Sequence, residues 1–309
     1  MVVSLKEIVK KERKLSPGHR LCPGCGASVV ANMILWATDD PVVIGIATGC
    51  LEVSTTIYPQ TAWEIPYIHS AFENAASTIS GVETAYRALK KKGKIKENIK
   101  FVAFGGDGGT YDIGLQALSG AMERGHNMVY VCYDNEAYMN TGIQRSSATP
   151  LGASTTTSPA GSVIPGKLQK RKDLTYIMTA HKIPYVAQGS ISHWRDLVKK
   201  ASKAFEVDGP AFLNVLSPCP RGWRYDSKLT INIAKEAVTS NFWPLYEVEN
   251  DNWKLTYKPK EKTPIENWLK KQGRFKHLFK PENTHIIDEI QNYIDNDWEN
   301  LLKKCGLQS

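Results

Sequence analysis

The sequence lacks a hydrophobic run of about 18 residues, so it predicts no membrane-spanning helix. Its first residues, MVVSLKEIVKKERKL, are charged and amphipathic and do not resemble a secretory signal. Cysteine is scarce, with six among 309 residues, which does not fit the disulfide framework of a small secreted protein. We therefore expect a cytoplasmic protein whose cysteines stay reduced and serve a metal or redox site.

A clustered basic patch is missing as well, although the formal net charge is +8. The Lys and Arg residues are dispersed, and the run KKKGKIK at 90–96 has the composition of a solvated helix end and loop. Aromatic residues are not interleaved with the basic ones, as they are on many nucleic acid-binding surfaces. The pattern therefore predicts no nucleic acid site, and the positive charge favours an acidic protein partner.

Apolar, β-branched runs alternate with helical patterns through most of the chain. The runs lie at 42–47, 99–106, 127–134, 183–189 and 211–218, and the helical patterns at 27–37, 71–92, 111–125 and 192–206. Strands that alternate with helices form parallel sheets covered on both faces. The sequence therefore predicts an α/β fold with a doubly wound, mainly parallel sheet.

Two segments depart from this alternation. Residues 143–172 are rich in Ser, Thr, Gly and Pro, and we expect a long ordered loop with a functional role. The composition shifts again near residue 240, and 284–304 carries the apolar stripe of an amphipathic helix. We expect a main domain at 1–240 and a C-terminal arm at 241–309 that contacts partner subunits. The alternative is that this last segment packs on its own domain.

Chemically distinctive residues follow four of the predicted strands. Cys50 follows the first, Asp107 the second, Asn135 the third and Cys219 the fifth. Ligands of open α/β sheets gather beyond the carboxyl ends of the strands. We therefore expect these four residues to lie at one edge of the sheet.

The segment GGDGGTYDIG at 105–114 has the features of a diphosphate site that includes a divalent cation. Asp107 supplies a carboxylate, and 28 residues later Asn135 offers a second side-chain oxygen, with the Ala137 carbonyl beside it. A helix that opens at 110–112 would direct its N-terminus toward the anion. The neighbouring glycines let the backbone approach phosphate: Gly106, Gly108 and Gly109. The alternative is an ordinary strand–turn–helix junction.

Four cysteines beside Gly or Pro suggest a thiolate metal site. Cys22 and Cys25 form a CPGC knuckle, Cys50 lies in TGC, and Cys219 lies in SPCP. Four thiolates fit either a tetrahedral zinc ion or an iron–sulfur cluster, and their spacing alone does not decide between them. Of the other two cysteines, we expect one in the core and one as a free thiol: Cys132 and Cys305.

The spacing GDG, 25 residues, DN resembles the thiamine diphosphate motif, although Asp134 stands where Asn is usual. The set HRLCPGCGAS, TGCLE, HSAFENAA, FGGDGGTYDIG, DNEAYMNTGIQRS and SPCPRGW resembles the thiamine-binding β subunits of the 2-oxoacid:ferredoxin oxidoreductases, closest to those acting on pyruvate. The resemblance covers about residues 16–230. It implies a pyrophosphate-type thiamine diphosphate-binding domain with a C-terminal extension.

The resemblance implies three cofactors, namely thiamine diphosphate, Mg²⁺ and a [4Fe–4S] cluster. It implies that the four cysteines named above bind the cluster. For Mg²⁺ it implies Asp107, Asn135 and the Ala137 carbonyl, and it places Asn140 near the reacting carbonyl as a catalytic residue. Asn140 has the alternative of a turn residue that bonds its own backbone. Some relatives have an acidic residue where this chain has Ala27, so the role of that carboxylate is open.

Three further residues are expected to contact the cofactor. Thr48 and Gly49 precede Cys50, and His69 precedes a predicted helix. Thr48 has the alternative of a loop cap, and His69 that of a satisfied buried histidine.

The implied reaction joins a 2-oxoacid, coenzyme A and two oxidised ferredoxins to give an acyl-CoA, CO₂ and two reduced ferredoxins, and it is reversible. Pyruvate is the expected substrate, with oxalate, 2-oxoisovalerate and 2-oxoglutarate as alternatives. One competing function is a non-redox thiamine diphosphate-dependent lyase with a structural zinc site. Another is a non-catalytic electron-transfer or assembly subunit.

Thiamine enzymes need a carboxylate on the aminopyrimidine ring, usually from a second, similarly folded domain. This chain has room for only one such domain. We therefore expect an α subunit that completes the thiamine site, together with γ and δ (ferredoxin-like) subunits and ferredoxin as electron acceptor.

Overall fold

The computed structural model describes residues 4–307, whose centre is one eight-stranded sheet in the order β2-β1-β3-β4-β6-β5-β7-β8. The six strands from β2 to β5 in this order are parallel. Strand β7 pairs with β5 in the antiparallel sense, and β8 pairs with β7 in the same way. The strands are β1 Val42–Ala47, β2 Tyr67–Ser70, β3 Lys100–Gly106, β4 Val129–Asp134, β5 Tyr185–Ser190, β6 Ala211–Leu216, β7 Leu245–Glu249 and β8 Asn252–Tyr257. The doubly wound, mainly parallel sheet expected from the sequence is confirmed.

Eleven α-helices accompany the sheet within the described residues. They are α1 Leu5–Ile8, α2 Gly26–Leu35, α3 Cys50–Thr55, α4 Ala75–Lys91, α5 Leu115–Glu123, α6 Leu174–Thr179, α7 Trp194–Glu206, α8 Pro220–Trp223, α9 Thr230–Thr239, α10 Ile265–Lys270 and α11 Thr284–Lys304. Across residues 4–307, no helix is both long and apolar enough to span a membrane.

The central strands are apolar at successive positions because both faces of the sheet are buried. On β3, Val102 and Phe104 pack in one core with residues of α2 and α7. The intervening Phe101 and Ala103 pack in a second core with residues of α4 and α5. Cys132 on β4 is fully buried in this second core, as the sequence predicted.

The C-terminal segment is not a separate arm, which corrects the division expected at residue 240. Strand β7 pairs with β5, β8 pairs with β7, and both continue the same sheet. Helix α11 has the predicted bounds, but its apolar stripe is part of the same hydrophobic core as Trp223, Trp268 and Phe275 of this chain. The shift in composition therefore marks an antiparallel addition to the domain. A contact between this segment and a partner subunit stays a prediction.

The long loop at 143–172 contains no helix or named strand in the described structure, as expected. Its own backbone bonds hold it together, for example Gly152 N to Lys167 O at 2.7 Å and Lys167 N to Ala153 O at 3.1 Å. Gly166 has φ of 86°, and a Cβ there would lie 2.7 Å from the Gly152 carbonyl oxygen. Glycine is therefore required where the loop crosses itself.

If α11 is part of the core, truncating Ile290, which is 2% exposed, should destabilise the chain. We expect Ile290→Ala to lower the free energy of unfolding by about 3 kcal/mol, because a buried cavity replaces the side chain. Urea unfolding of the full chain measures the effect, with the exposed Glu289→Ala as the matched control in the same helix. Equal stability of the two variants would contradict the packing described here.

Candidate active site

Four neighbouring strands end at the same edge of the sheet and bring the predicted residues together. Strands β1, β3, β4 and β6 lie side by side in that order. They are followed in turn by Cys50, Asp107, Asn135 and Cys219. The ends of β4 and β6 are tied beyond the strands by a bond from Ser217 N to Asp134 O at 2.8 Å. The expected convergence at one edge is therefore present.

A cavity of about 200 Å³ opens at this edge. Nine of the residues predicted from the sequence line it, namely Thr48, Gly49, Cys50, Gly106, Asp107, Gly108, Asn135, Ala137 and Asn140. Five residues that the sequence analysis did not single out complete the wall, namely Phe72, Tyr133, Tyr138, Met139 and Thr141. The cavity therefore joins a residue of the cysteine set to the residues expected around a diphosphate.

Asp107, Asn135 and Ala137 direct polar atoms to one point. One terminal atom of the Asn135 amide lies 2.9 Å from Asp107 Oδ1 and 2.9 Å from the Ala137 carbonyl oxygen. With its nitrogen on this side the amide donates to both oxygens. With its oxygen there, its separation from each of the other two oxygens matches that of neighbouring ligands of octahedral Mg²⁺, about 3.0 Å apart for bonds of about 2.1 Å. The three residues therefore fit the ion that the sequence predicted.

Asp107 itself is completely buried at the end of β3. Its Oδ1 accepts from Asn135 N at 3.2 Å and its Oδ2 from Ser146 Oγ at 2.5 Å. Burial, and after it the nearby Asp134 carboxylate, raises the pKa of Asp107 well above its usual value. A cation at this point would favour the ionised carboxylate.

The backbone after Asp107 differs from the expected helix start. A π-helical turn spans Gly108–Ile113, and α5 begins only at Leu115. Single π turns inside helices are frequent at functional sites. The Tyr138 ring packs directly on Gly108, where a Cβ would lie 2.4 Å from Tyr138 Cδ1. Gly109 does not line the cavity, because it packs against Phe72 instead.

A buried charge network supports the DNEA segment. Asp134 Oδ2 accepts from Tyr111 Oη at 2.7 Å and from Arg171 Nη2 at 2.6 Å. Glu136 accepts from Arg171 Nη1 at 3.1 Å and from Arg274 Nη2 at 2.5 Å. The Asp134 that departs from the usual motif is thus paired with a guanidinium. Sequence reasoning missed both arginines, because they are 37 and 138 residues from their partners.

The four predicted cysteines come from three loops that contact one another. Gly26 N donates to the Pro218 carbonyl oxygen at 3.2 Å, which joins the Cys22–Cys25 knuckle to the loop of Cys219. Gly222 N donates to Cys219 Sγ at 3.3 Å. Among residues 4–307, no three Cys, His, Asp or Glu side chains have the arrangement of a site for a single metal ion.

Burial, together with neighbouring thiols, raises the pKa values of Cys25, Cys50 and Cys219. Burial raises the pKa of Cys25 to about 11, and Cys219 and Cys22 add to the increase. Burial raises the pKa of Cys50 to about 12, with further contributions from Cys219, Cys25 and Cys22. Ionising all four together would place like charges near one another, and a bound metal would relieve the repulsion. The four sulfur atoms are therefore donors of the type that a thiolate-bound metal centre uses.

Thr48 and His69 are linked by a hydrogen bond of 2.6 Å between Thr48 Oγ1 and His69 Nε2. His69 Nδ1 lies 3.4 Å from Glu52 Oε1, a buried carboxylate that the sequence analysis missed. The His69 side chain is 46% exposed, so the alternative of a buried histidine is wrong. His69 does not line the cavity itself and reaches it through Thr48.

Asn140 is exposed at the cavity wall. In the backbone turn that contains Asn140, Thr141 Oγ1 donates to Gln144 Oε1 at 2.6 Å, and Gln144 Nε2 donates to Thr141 O at 2.7 Å. Neighbouring side chains thus bond the turn, while Asn140 faces the cavity. Its catalytic role stays a prediction.

Comparisons with known proteins agree with this geometry. Residues 47–215 match the family described as thiamine pyrophosphate enzyme, C-terminal TPP binding domain. The chain is 54% identical to pyruvate synthase subunit PorB of Thermotoga maritima over 98% of this chain and 96% of that protein. It is also 54% identical to PorB of Methanocaldococcus jannaschii, over 96% and 97%. Identity to ketoisovalerate oxidoreductase subunit VorB of Pyrococcus furiosus is 42%, over 94% and 93%.

A comparison with solved structures also supports the fold. One match is a 2-oxoglutarate:ferredoxin oxidoreductase from Magnetococcus marinus with 2-oxoglutarate, coenzyme A and succinyl-CoA bound. The match has a TM-score of 0.55 at 20% identity and covers 72% of this chain and 79% of that one.

The charge network predicts a large effect at Asp134, which is fully buried and paired with Arg171. We expect Asp134→Asn to lower the free energy of unfolding by about 3 kcal/mol, because the buried guanidinium loses a charged partner. Urea unfolding measures the loss. The control is Asp226→Asn, in an exposed pair with Lys228, which should leave stability unchanged. A stable Asp134→Asn variant would show that the network is not required.

Proposed function

The chain belongs to the family of the thiamine diphosphate-binding subunits of the 2-oxoacid:ferredoxin oxidoreductases, and from that membership we propose its specific role. It is the β subunit of an enzyme that converts pyruvate and coenzyme A to acetyl-CoA and CO₂, and two oxidised ferredoxins take up one electron each. Electrons leave through a [4Fe–4S] cluster bound by this subunit. The observation that carries the proposal is the shared cavity, which Cys50 lines together with Asp107, Asn135 and Ala137.

The residues around Asp107 would hold Mg²⁺ and the cofactor diphosphate. Asp107, the Asn135 amide oxygen and the Ala137 carbonyl would be its protein ligands, and substrate or cofactor phosphate typically completes such a site. Gly106 and Gly108 line the same wall, and the absence of a side chain on Gly108 lets the Tyr138 ring pack against it. When bound, thiamine diphosphate supplies the electron sink for loss of CO₂, and the cluster accepts single electrons.

The cysteines would hold the cluster next to this cavity. Cys22, Cys25, Cys50 and Cys219 come from three loops in mutual contact, and only Cys50 lines the cavity. That arrangement would place the cluster next to the cavity wall to which Cys50 belongs. Short separation from the cofactor is what electron transfer requires, and this supports a redox role for the site.

The cavity walls can orient a 2-oxoacid and limit water. Phe72 and Tyr138 lie with ring centroids 5.7 Å apart at the wall. Asn140 presents an amide that would donate to the substrate carboxylate or to the oxygen on which negative charge develops. Thr48, oriented by His69, adds a hydroxyl to the same wall.

A partner subunit would complete the site. The cavity of about 200 Å³ is smaller than the roughly 300–1,000 Å³ of most small-molecule sites. Its one acidic lining residue is Asp107, which the Mg²⁺ site uses. The carboxylate for the aminopyrimidine ring would therefore come from an α subunit. We further propose γ and δ (ferredoxin-like) subunits that pass electrons to ferredoxin, in a cytoplasmic enzyme.

Pyruvate is the proposed substrate because identity is 54% to the pyruvate synthase subunits and 42% to the ketoisovalerate subunit. The reaction runs as 2-oxoacid plus coenzyme A plus two oxidised ferredoxins to acyl-CoA, CO₂, a proton and two reduced ferredoxins. The same site can run it in reverse.

Cluster binding can be tested through Cys219. We expect Cys219→Ala in the purified enzyme to lose this subunit's share of iron and acid-labile sulfide, because one of four thiolate ligands is gone. Cys305→Ala is the matched control, since Cys305 follows α11, packs against the core that contains Cys132 and is not one of the four proposed ligands. Iron, sulfide and zinc analysis decides the outcome. Unchanged iron in Cys219→Ala, or zinc in place of iron, would refute the proposed electron path.

The need for a partner and the choice of substrate can be tested together. We expect this chain by itself to give no turnover, and addition of the α subunit to restore reduction of a low-potential dye with coenzyme A. A panel of pyruvate, 2-oxoisovalerate, 2-oxoglutarate and oxalate should show the highest kcat/KM for pyruvate. Full turnover by the isolated chain would contradict the proposal that a partner subunit completes the site. A preference for another 2-oxoacid would replace pyruvate as the substrate.

A further inference from the structure

Arg274 occupies an unusual place for a residue of the C-terminal segment. It lies outside the matched family domain at 47–215, yet it is 2% exposed and contacts the DNEA segment. Its Nη2 donates to Glu136 Oε2 at 2.5 Å, and its Nε donates to Gln272 Oε1 at 3.0 Å. The guanidinium carbon lies 4.0 Å from the centre of the Trp223 ring. The Arg274 side chain therefore contacts both the DNEA segment and the short helix α8 that follows Cys219.

Glu136 is the contact on the diphosphate side. It stands between Asn135 and Ala137 and has φ of 67°, a left-handed conformation that non-glycine residues adopt only when their surroundings impose it. Its carboxylate is fully buried and is held by Arg171 and Arg274. The direction of the Asn135 amide and the Ala137 carbonyl depends on this backbone. The two arginines therefore set the positions of the proposed Mg²⁺ ligands.

Trp223 is the contact on the cysteine side. Its Nε1 donates to the Asn135 carbonyl oxygen at 2.7 Å, and its N donates to the Cys219 carbonyl oxygen at 2.9 Å. Trp223 therefore links the Arg274 guanidinium, which stacks on its ring, to the backbone of Cys219. Arg274 thus lies between the two proposed cofactor sites and contacts elements of both.

We propose that Arg274 is a positioning residue shared by the two sites of the proposed function. Its planar guanidinium is fixed by Gln272 through Nε and holds Glu136 through Nη2, and this bond keeps the Mg²⁺ ligands in place. Its positive charge stabilises the reduced form of the cluster bound at Cys219, since reduction adds negative charge there. A residue that only stabilised the fold would affect neither metal affinity nor reduction potential selectively.

Two substitutions separate the two effects. Arg274→Gln removes both the planar guanidinium and its charge. Mg²⁺ should therefore bind about tenfold more weakly, and the reduction potential of the cluster should become more negative. Arg274→Lys keeps the charge but lacks the planar guanidinium, which bonds Glu136 and stacks on Trp223 at the same time. It should weaken Mg²⁺ binding to a similar degree and keep the potential near that of the wild type.

The measurements use the assembled enzyme. Mg²⁺ affinity is read from thiamine diphosphate binding at varied Mg²⁺, and the potential from a redox titration followed by electron paramagnetic resonance. The matched control is Arg195→Gln, because Arg195 also stacks on a tryptophan, with its guanidinium carbon 4.5 Å from the centre of the Trp194 ring, but is exposed at the start of α7. It should change neither quantity.

If Arg274→Gln fails to assemble, Glu136→Gln combined with Arg274→Gln removes the ion pair as a unit and leaves amides that can bond each other. This double variant should still bind Mg²⁺ about tenfold more weakly. Wild-type Mg²⁺ affinity in every Arg274 variant would overturn the positioning role, and an unchanged potential in Arg274→Gln would overturn the charge effect. A wild-type enzyme without a cluster signal or Mg²⁺-dependent cofactor binding would refute the proposed function instead.

Discussion

Negative charge gathered at one edge of the sheet is the constraint on which the rest of this structure depends. Asp107, Asp134 and Glu136 are all fully buried within two adjacent strand ends. Arg171 and Arg274 compensate the last two directly. Asp107 instead accepts from neutral groups, a hydroxyl and a backbone amide. This difference distinguishes the carboxylate suited to a bound cation from those that hold the scaffold, because burial of a charge requires a partner of opposite sign.

The same constraint explains why the chain extends beyond its thiamine-binding domain. The matched region ends at residue 215, before Cys219 and before both elements that carry Trp223 and Arg274. The C-terminal segment adds two strands and a long helix to the domain, and it also delivers a guanidinium to the site. The long loop delivers the other guanidinium through Arg171. Two segments without recognisable motifs thus complete the surroundings of the motif residues.

The motif residues were predictable because their chemistry is local. A Gly-rich turn after an apolar strand, an Asn after the next strand and cysteines beside Gly or Pro each indicate their role within a few residues of sequence. The edge strand β2 and the hairpin of β7 and β8 were missed, because short or half-exposed strands lack the continuous apolar run of the central ones. The apolar stripe of α11 predicted a helix correctly but did not reveal what covers it.

By itself, the sequence determined the parallel α/β architecture, the strand ends that carry Asp107, Asn135 and Cys50, and the chemical nature of both donor sets. Periodicity and turn residues act over short distances, and they are enough for these features. Only the tertiary structure decided that the C-terminal segment joins the sheet, that the helix after Asp107 begins with a π turn, and that Arg171 and Arg274 neutralise Asp134 and Glu136. Such pairings depend on which distant side chains burial brings into contact, and no local pattern in the chain records that choice.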